Sequence, residues 1–123
     1  MTDLDKKLIA EFLGGEVIAT YMSPTMSMYS VKAPWVKASR EKGLMVGGFE
    51  DKMMLSNCEF DKSWDWFMQA WEKFRKLQGM PRTYLEHHDS ISAWIVRNNL
   101  EEANHCLIKA LNWLKSGNYS GTN

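Results

Sequence analysis

The sequence predicts an α+β fold. Residues 1–117 are expected to form a single domain, an α-β-α sandwich-like arrangement in which a short, mostly antiparallel sheet is flanked by three helices, with a flexible tail over 118–123. Three observations carry this prediction. Amphipathic helical patterns stand at both ends of the chain and in its middle. Short runs rich in β-branched and aromatic residues, broken by Ser23-Pro24 and Gly47-Gly48, fill the space between the first two. Strands grouped apart from helices, rather than alternating with them, point to α+β. Finally, 123 residues at 45% hydrophobic and 24% charged have globular composition and room for one core.

"TDLDKKLIAEFLGG" reads as the first helix: Thr2 or Asp3 caps it, Leu4, Leu8, Ile9, Phe12 and Leu13 cover one side, and Gly14-Gly15 supplies a left-handed stop. "EVIATYMSPTMSMYSVKA" then reads as strand, loop, strand. "PWVKASREKG" follows as a basic segment, and Leu44 to Val46 and Met53 to Leu55 are candidate short strands.

"KSWDWFMQAWEKF" holds three of the six tryptophans. Ser63 is its expected N-cap, with Asp65 in the first turn. At roughly 100° per residue, Phe67, Ala70, Trp71 and Phe74 centre the apolar face, with Trp64 and Met68 at one edge and Leu77 and Trp66 at the other. That arc of about 200° exceeds the roughly 100° stripe of a simple surface helix. The helix, extending to Gln78, is either covered on more than one side or carries its edge aromatics to a partner. Trp71 reads as core, and Trp66 as the tryptophan most available for another role.

"RTYLEHHDSISAWIV" alternates in the β manner around Asp89-Ser90, which predicts a hairpin; the same stretch also admits a short helix capped by Asp89. "NNLEEANHCLIKALNWLKSG" is the clearest helix, opened by Asn99 with Glu102, faced by Leu100, Ala103, Leu107, Ala110, Leu111 and Leu114, and stopped by Gly117.

"LIAEFLGG", "SWDWFMQAWEKF" and "EEANHCLIKALNWLKSG" resemble the small proteins carrying the phage ABA sandwich domain, whose pattern has a leading "IAEFMG", a middle "SWDWLMPVVEKI" and a closing "AVVEFIKWYN"-like helix. The match covers about half the chain, and Ser63-Trp64-Asp65-Trp66 is its most specific piece. Where the family has Pro after this quartet, the present chain has Gln69. The resemblance implies an α-β-α sandwich, a phage origin and a place in the cytoplasm of an infected bacterial host. It implies no catalytic residue.

Charge excludes some functions and favours others. Fifteen basic and fifteen acidic residues sum to zero, which argues against a partner that is a long nucleic acid. No apolar run approaches a membrane span, residues 1–20 lack a signal-peptide pattern, and Cys58 and Cys106 form neither a metal spacing nor a disulfide framework. His87-His88-Asp89 with His105 and Cys106 lacks ligand spacing, so no metal or cofactor is expected. His105 and Cys106 are adjacent on a helix and do not face each other, and nothing places Glu86 and Asp89 around a pocket, so no catalytic residue is assigned. Gly47-Gly48 lacks the Lys-Ser/Thr of a phosphate loop and reads as a turn or bulge.

The candidate ligand-binding residues are Lys32, Trp35, Lys37, Arg40 and Lys42, with Trp66 as a second stacking residue. Cations interleaved with an aromatic suit phosphate and a stacked base. The competing account is a solvated loop anchored by Trp35 in the core. The expected function, joining this segment to the phage resemblance, is a non-catalytic counter-defence protein that sequesters a small anionic, nucleotide-type immune signal as a homo-oligomer. Two alternatives stand beside it. One is an inhibitor of a host defence protein, anchored by Trp66, Met68 and the methionines from Met22 to Met28; the other is a small nucleotide hydrolase using the histidines.

Overall fold

Thr2 begins the first helix, α1 (Asp3–Phe12), by accepting the Asp5 N–H on its hydroxyl oxygen at 3.2 Å. Asp3 and Asp5 add negative charge where the helix dipole favours it. Gly14 ends it at φ +88°: the Gly14 N–H reaches the Glu11 carbonyl and the Gly15 N–H reaches that of Ala10, the paired bonds of a Schellman stop. The computed structural model describes residues 1–22, 27–32 and 52–117. The chain divides into two compact units, Met1–Cys58 and Glu59–Asn123.

The first unit holds α1 and a three-stranded antiparallel sheet in the order β1 (Glu16–Met22), β2 (Ser27–Lys32), β3 (Lys52–Met54). β1 pairs with β2 from Glu16↔Lys32 to Met22↔Ser27, with an irregularity between Ala19 and Tyr21. β2 pairs with β3 through Ser30↔Met54, Val31↔Met53 and Lys32↔Lys52. Ser30 and Val31 point to opposite faces and both are buried, so the central strand is covered on both sides there. A 3₁₀ turn, Leu55–Asn57, follows β3 and takes Leu55 out of the strand expected to include it. The buried Lys6 of α1 donates its ammonium to the Ser56 carbonyl at 3.0 Å, which fastens the helix to this turn. The strand expected at Leu44 to Val46 lies outside the described residues, as does the tail over 118–123.

The second unit is helical: α2 (Trp64–Arg75), α3 (Arg82–Val96) and α4 (Leu100–Ser116). The buried residues of α2 are Phe67, Ala70, Trp71 and Phe74, the face that helical spacing selects. Ser63 occupies the N-cap position, but its side chain makes no capping bond. The helix stops at Arg75, so Leu77 lies beyond its end. Asn99 caps α4 by accepting the Glu102 N–H at 3.1 Å, and Gly117 closes that helix at φ +73°.

One element corrects the expectation. Residues 82–96 form a helix, not a hairpin, and Ser90 sits in mid-helix with its hydroxyl donating to the Glu86 carbonyl four residues back at 2.9 Å. Tyr84, His87, His88, Ile91, Trp94 and Ile95 are buried or half-buried and recur at helical spacing, whereas Leu85 and Val96 are exposed. Those two exposed apolar residues, out of phase with the buried stripe, create the apparent β alternation. The chain therefore has four α-helices among its described residues where three were expected, and the class remains α+β. Asn98 ends α3 in the left-handed conformation at φ +57°, and the Asn99 N–H returns to the Trp94 carbonyl at 3.0 Å. Adjacent asparagines thus stop one helix and start the next, making α3 and α4 a helical hairpin.

Candidate functional site

Sheet register sets the position of the basic candidates. Lys32 ends the central strand, exposed, opposite Glu16 on one side and Lys52 on the other. The opposite-charge pairing of Lys32 with Glu16 is favourable. Lys52 was not among the sequence candidates, because nothing in "EDKMM" announces which residue it will face; only the ladder shows it. Lys32 and Lys52 bracket residues 33–51, which carry Trp35, Lys37, Arg40 and Lys42. Those four candidates lie outside the described residues.

Trp66 belongs to the second unit and is half-buried, its ring edge-on to the buried Phe60 at 5.4 Å and 86°. Its neighbours in sequence are held in the same manner. Trp64 meets Phe67 edge-on at 5.5 Å, and Trp71 lies parallel to Phe74 at 6.2 Å. The wide apolar arc of α2 is therefore occupied, in part, by aromatic contacts inside its own unit. Lys32 and Trp66 fall in different units.

The histidines of α3 diverge by roughly 100° around the helix, and each rests on a different tryptophan. His87 packs on Trp113 at 5.1 Å; His88 packs on Trp71 at 5.0 Å and touches the Asp89 carboxylate at 3.2 Å. Burial lowers the His87 pKa, an effect opposed by the Glu86 carboxylate and reinforced by Lys109. Among the described residues no three His, Cys, Asp or Glu side chains converge on a possible metal position.

Both thiols are pushed toward the neutral form. Burial raises Cys58 to about 12, with Lys6 pulling the other way. Burial and then Glu102 raise Cys106, against Lys109 and a hydrogen bond from Trp94. A thiol held neutral is a poor nucleophile. Tyr84 is also held neutral by burial, and its hydroxyl donates to the Phe74 carbonyl at 2.6 Å. Tyr84 thereby ties α3 to the end of α2, and the bond from Trp94 to Cys106 ties α3 to α4.

No family model matches the chain, and comparison with curated proteins and with solved structures finds no match either.

Proposed function

We propose that the chain is a phage-encoded, non-catalytic binding protein that sequesters a small nucleotide-type anion, acting as a counter-defence protein against a host immune signal. One observation carries this reading: the ladder sets Lys32 opposite Lys52 at the root of a segment that itself holds Lys37, Arg40 and Lys42. A bound anion would pair with the cations that the sequence gathers in this part of the chain. In this reading Lys37, Arg40 and Lys42 contact phosphate oxygens together with Lys32, and Trp35 stacks on a base.

A thermal-shift screen of the purified chain against cyclic and linear nucleotides tests the reading, with the ligand recovered by denaturation and chromatography. A ligand that binds the folded state alone raises the melting temperature as its concentration exceeds the dissociation constant. The expected result is a shift with intact ligand recovered, abolished by Lys37→Ala with Arg40→Ala and weakened by Lys32→Ala. Recovery of products would assign a hydrolase instead. Absence of a shift, or a shift unchanged in the Lys37/Arg40 variant, would overturn the site.

A further inference from the structure

We propose that the chain pairs with a second copy of itself through the exposed face of α3, the two helices antiparallel, Leu85 against the partner's Val96 and Glu86 against the partner's Arg97.

Five large hydrophobic residues are exposed among the described residues, and two of them, Leu85 at 56% and Val96 at 83%, lie on this one helix. They are eleven positions apart, about three helical turns, so they share a stripe to within roughly 20°. Tyr84 and Ile91, the buried residues of α3, lie about 100–140° away around the helix. Glu86 and Arg97 are also exposed and also eleven positions apart, which sets both on the same flank of the stripe. Neither forms an ion pair within the chain among the described residues; Arg97 instead rests over the Trp94 ring at 5.0 Å.

Two pairs with identical spacing and opposite order are what a two-fold interface requires, because each residue must find its complement at the mirrored position of the same surface. With the axis beside Ile91, an antiparallel copy brings Leu85 level with the partner's Val96, and Glu86 with the partner's Arg97, each to within about 1.5 Å along the helix. A parallel copy would set Glu86 level with the partner's Glu86 and Arg97 level with the partner's Arg97, so neither would find an opposite charge at its own level. Charge therefore selects the antiparallel arrangement. Asp89, also exposed, and Ser92, half-buried, give the stripe a polar middle. A contact about 18 Å long with a polar middle falls in the range of small, weak interfaces.

Sedimentation equilibrium of the full chain without nucleotide, from about 1 µM to about 500 µM, reads the proposal directly. The expected result is a reversible dimer. Glu86→Arg alone and Arg97→Glu alone should each weaken it about tenfold or more, and the double variant should recover most of that loss. Leu85→Gln with Val96→Gln should abolish it. All four positions are exposed, so an unchanged circular dichroism spectrum separates lost association from lost fold. A monomer at every concentration overturns the proposal. So does a dimer indifferent to the charge reversals, which would place the contact on another face.

Discussion

Removing one buried oxygen tests how α2 and α3 are joined. Tyr84 is 7% exposed, and its hydroxyl donates at 2.6 Å to the Phe74 carbonyl, one of the last carbonyls of α2 that has no amide partner within the helix. Tyr84→Phe deletes that bond and leaves the ring, which lies 4.9 Å from Phe74. The Phe74 carbonyl keeps a second donor, the Leu77 N–H at 3.2 Å, so it is not left bare. The loss is therefore near the net value of one hydrogen bond, about 1 kcal/mol, rather than the full penalty of an orphaned buried carbonyl. For a chain of this length that lowers the melting temperature by about 3–6 °C.

Alkaline pH gives the same experiment a second arm. Burial raises the Tyr84 pKa above its ordinary 10.0. A raised phenol pKa contributes stability that is fully present below the unfolded value and is lost as pH rises through the folded one. Tyr84→Phe lacks this component, so the gap between the two proteins should narrow once pH exceeds 10. Other alkaline titrations cancel in the comparison. Urea melts of both proteins from pH 7 to about pH 11 measure it. A Phe variant as stable as the parent at neutral pH, or a gap that does not change with pH, would refute the account of this bond.

Other outcomes follow from the same unit and its neighbour. Asn104 donates its amide to the Phe60 carbonyl at 2.9 Å and to the Leu100 carbonyl at 3.0 Å, so Asn104→Ala should cost about 1–3 kcal/mol in urea melts. Asn104→Asp should cost about 3 kcal/mol or more at neutral pH, because it turns a carboxylate onto two carbonyls, and less in acid, where the carboxyl regains a donor. The His87 pKa is lowered from 6.5, chiefly by burial, so its contribution is present above that pH and lost as pH falls through the lowered value; melts from pH 7.5 to about pH 5 should show it, and His87→Phe should flatten it. Cys58 is wholly buried and raised to about 12, whereas Cys106 is half-buried, so a thiol reagent at about pH 8 should label Cys106 first and reach Cys58 only on unfolding.

Local chemistry made some elements legible in the sequence and long-range contacts hid others. Thr2, Gly14, Asn99 and Gly117 mark helix ends because a cap is decided by a few adjacent residues, and each takes the expected role. The α2 face was legible for a similar reason: Phe67, Ala70, Trp71 and Phe74 are spaced by the helix itself. α3 was not, since its exposed Leu85 and Val96 mimic a second hydrophobic phase, and only the packing of Tyr84, His87, His88 and Ile91 shows which phase is buried. The bonds from Lys6 to Ser56 and from Asn104 to Phe60 span 50 and 44 residues and leave no local trace. The site divides along the same line. That Lys32 is a cation could be read from the chain, but that it faces Lys52 depends on a register no short motif encodes.

Four tryptophans of the second unit are engaged by rings of that unit. Three within eight positions suggest a stacking platform, yet Trp64, Trp66 and Trp71 each meet a ring of their own unit, and Trp113 meets His87. A ring already engaged edge-on, as Trp66 is by Phe60, offers a ligand only its remaining surface and would forfeit an aromatic contact of about 0.5–1.5 kcal/mol if it turned away. Trp94 differs: it is half-buried, carries the Arg97 guanidinium over its ring and hydrogen-bonds Cys106. Arg97 itself follows the helix that, among the described residues, exposes two large aliphatic side chains, Leu85 and Val96. In the proposed dimer the α2 rings therefore pack within their own unit, and Leu85, Val96, Glu86 and Arg97 of α3 and its end supply the contact.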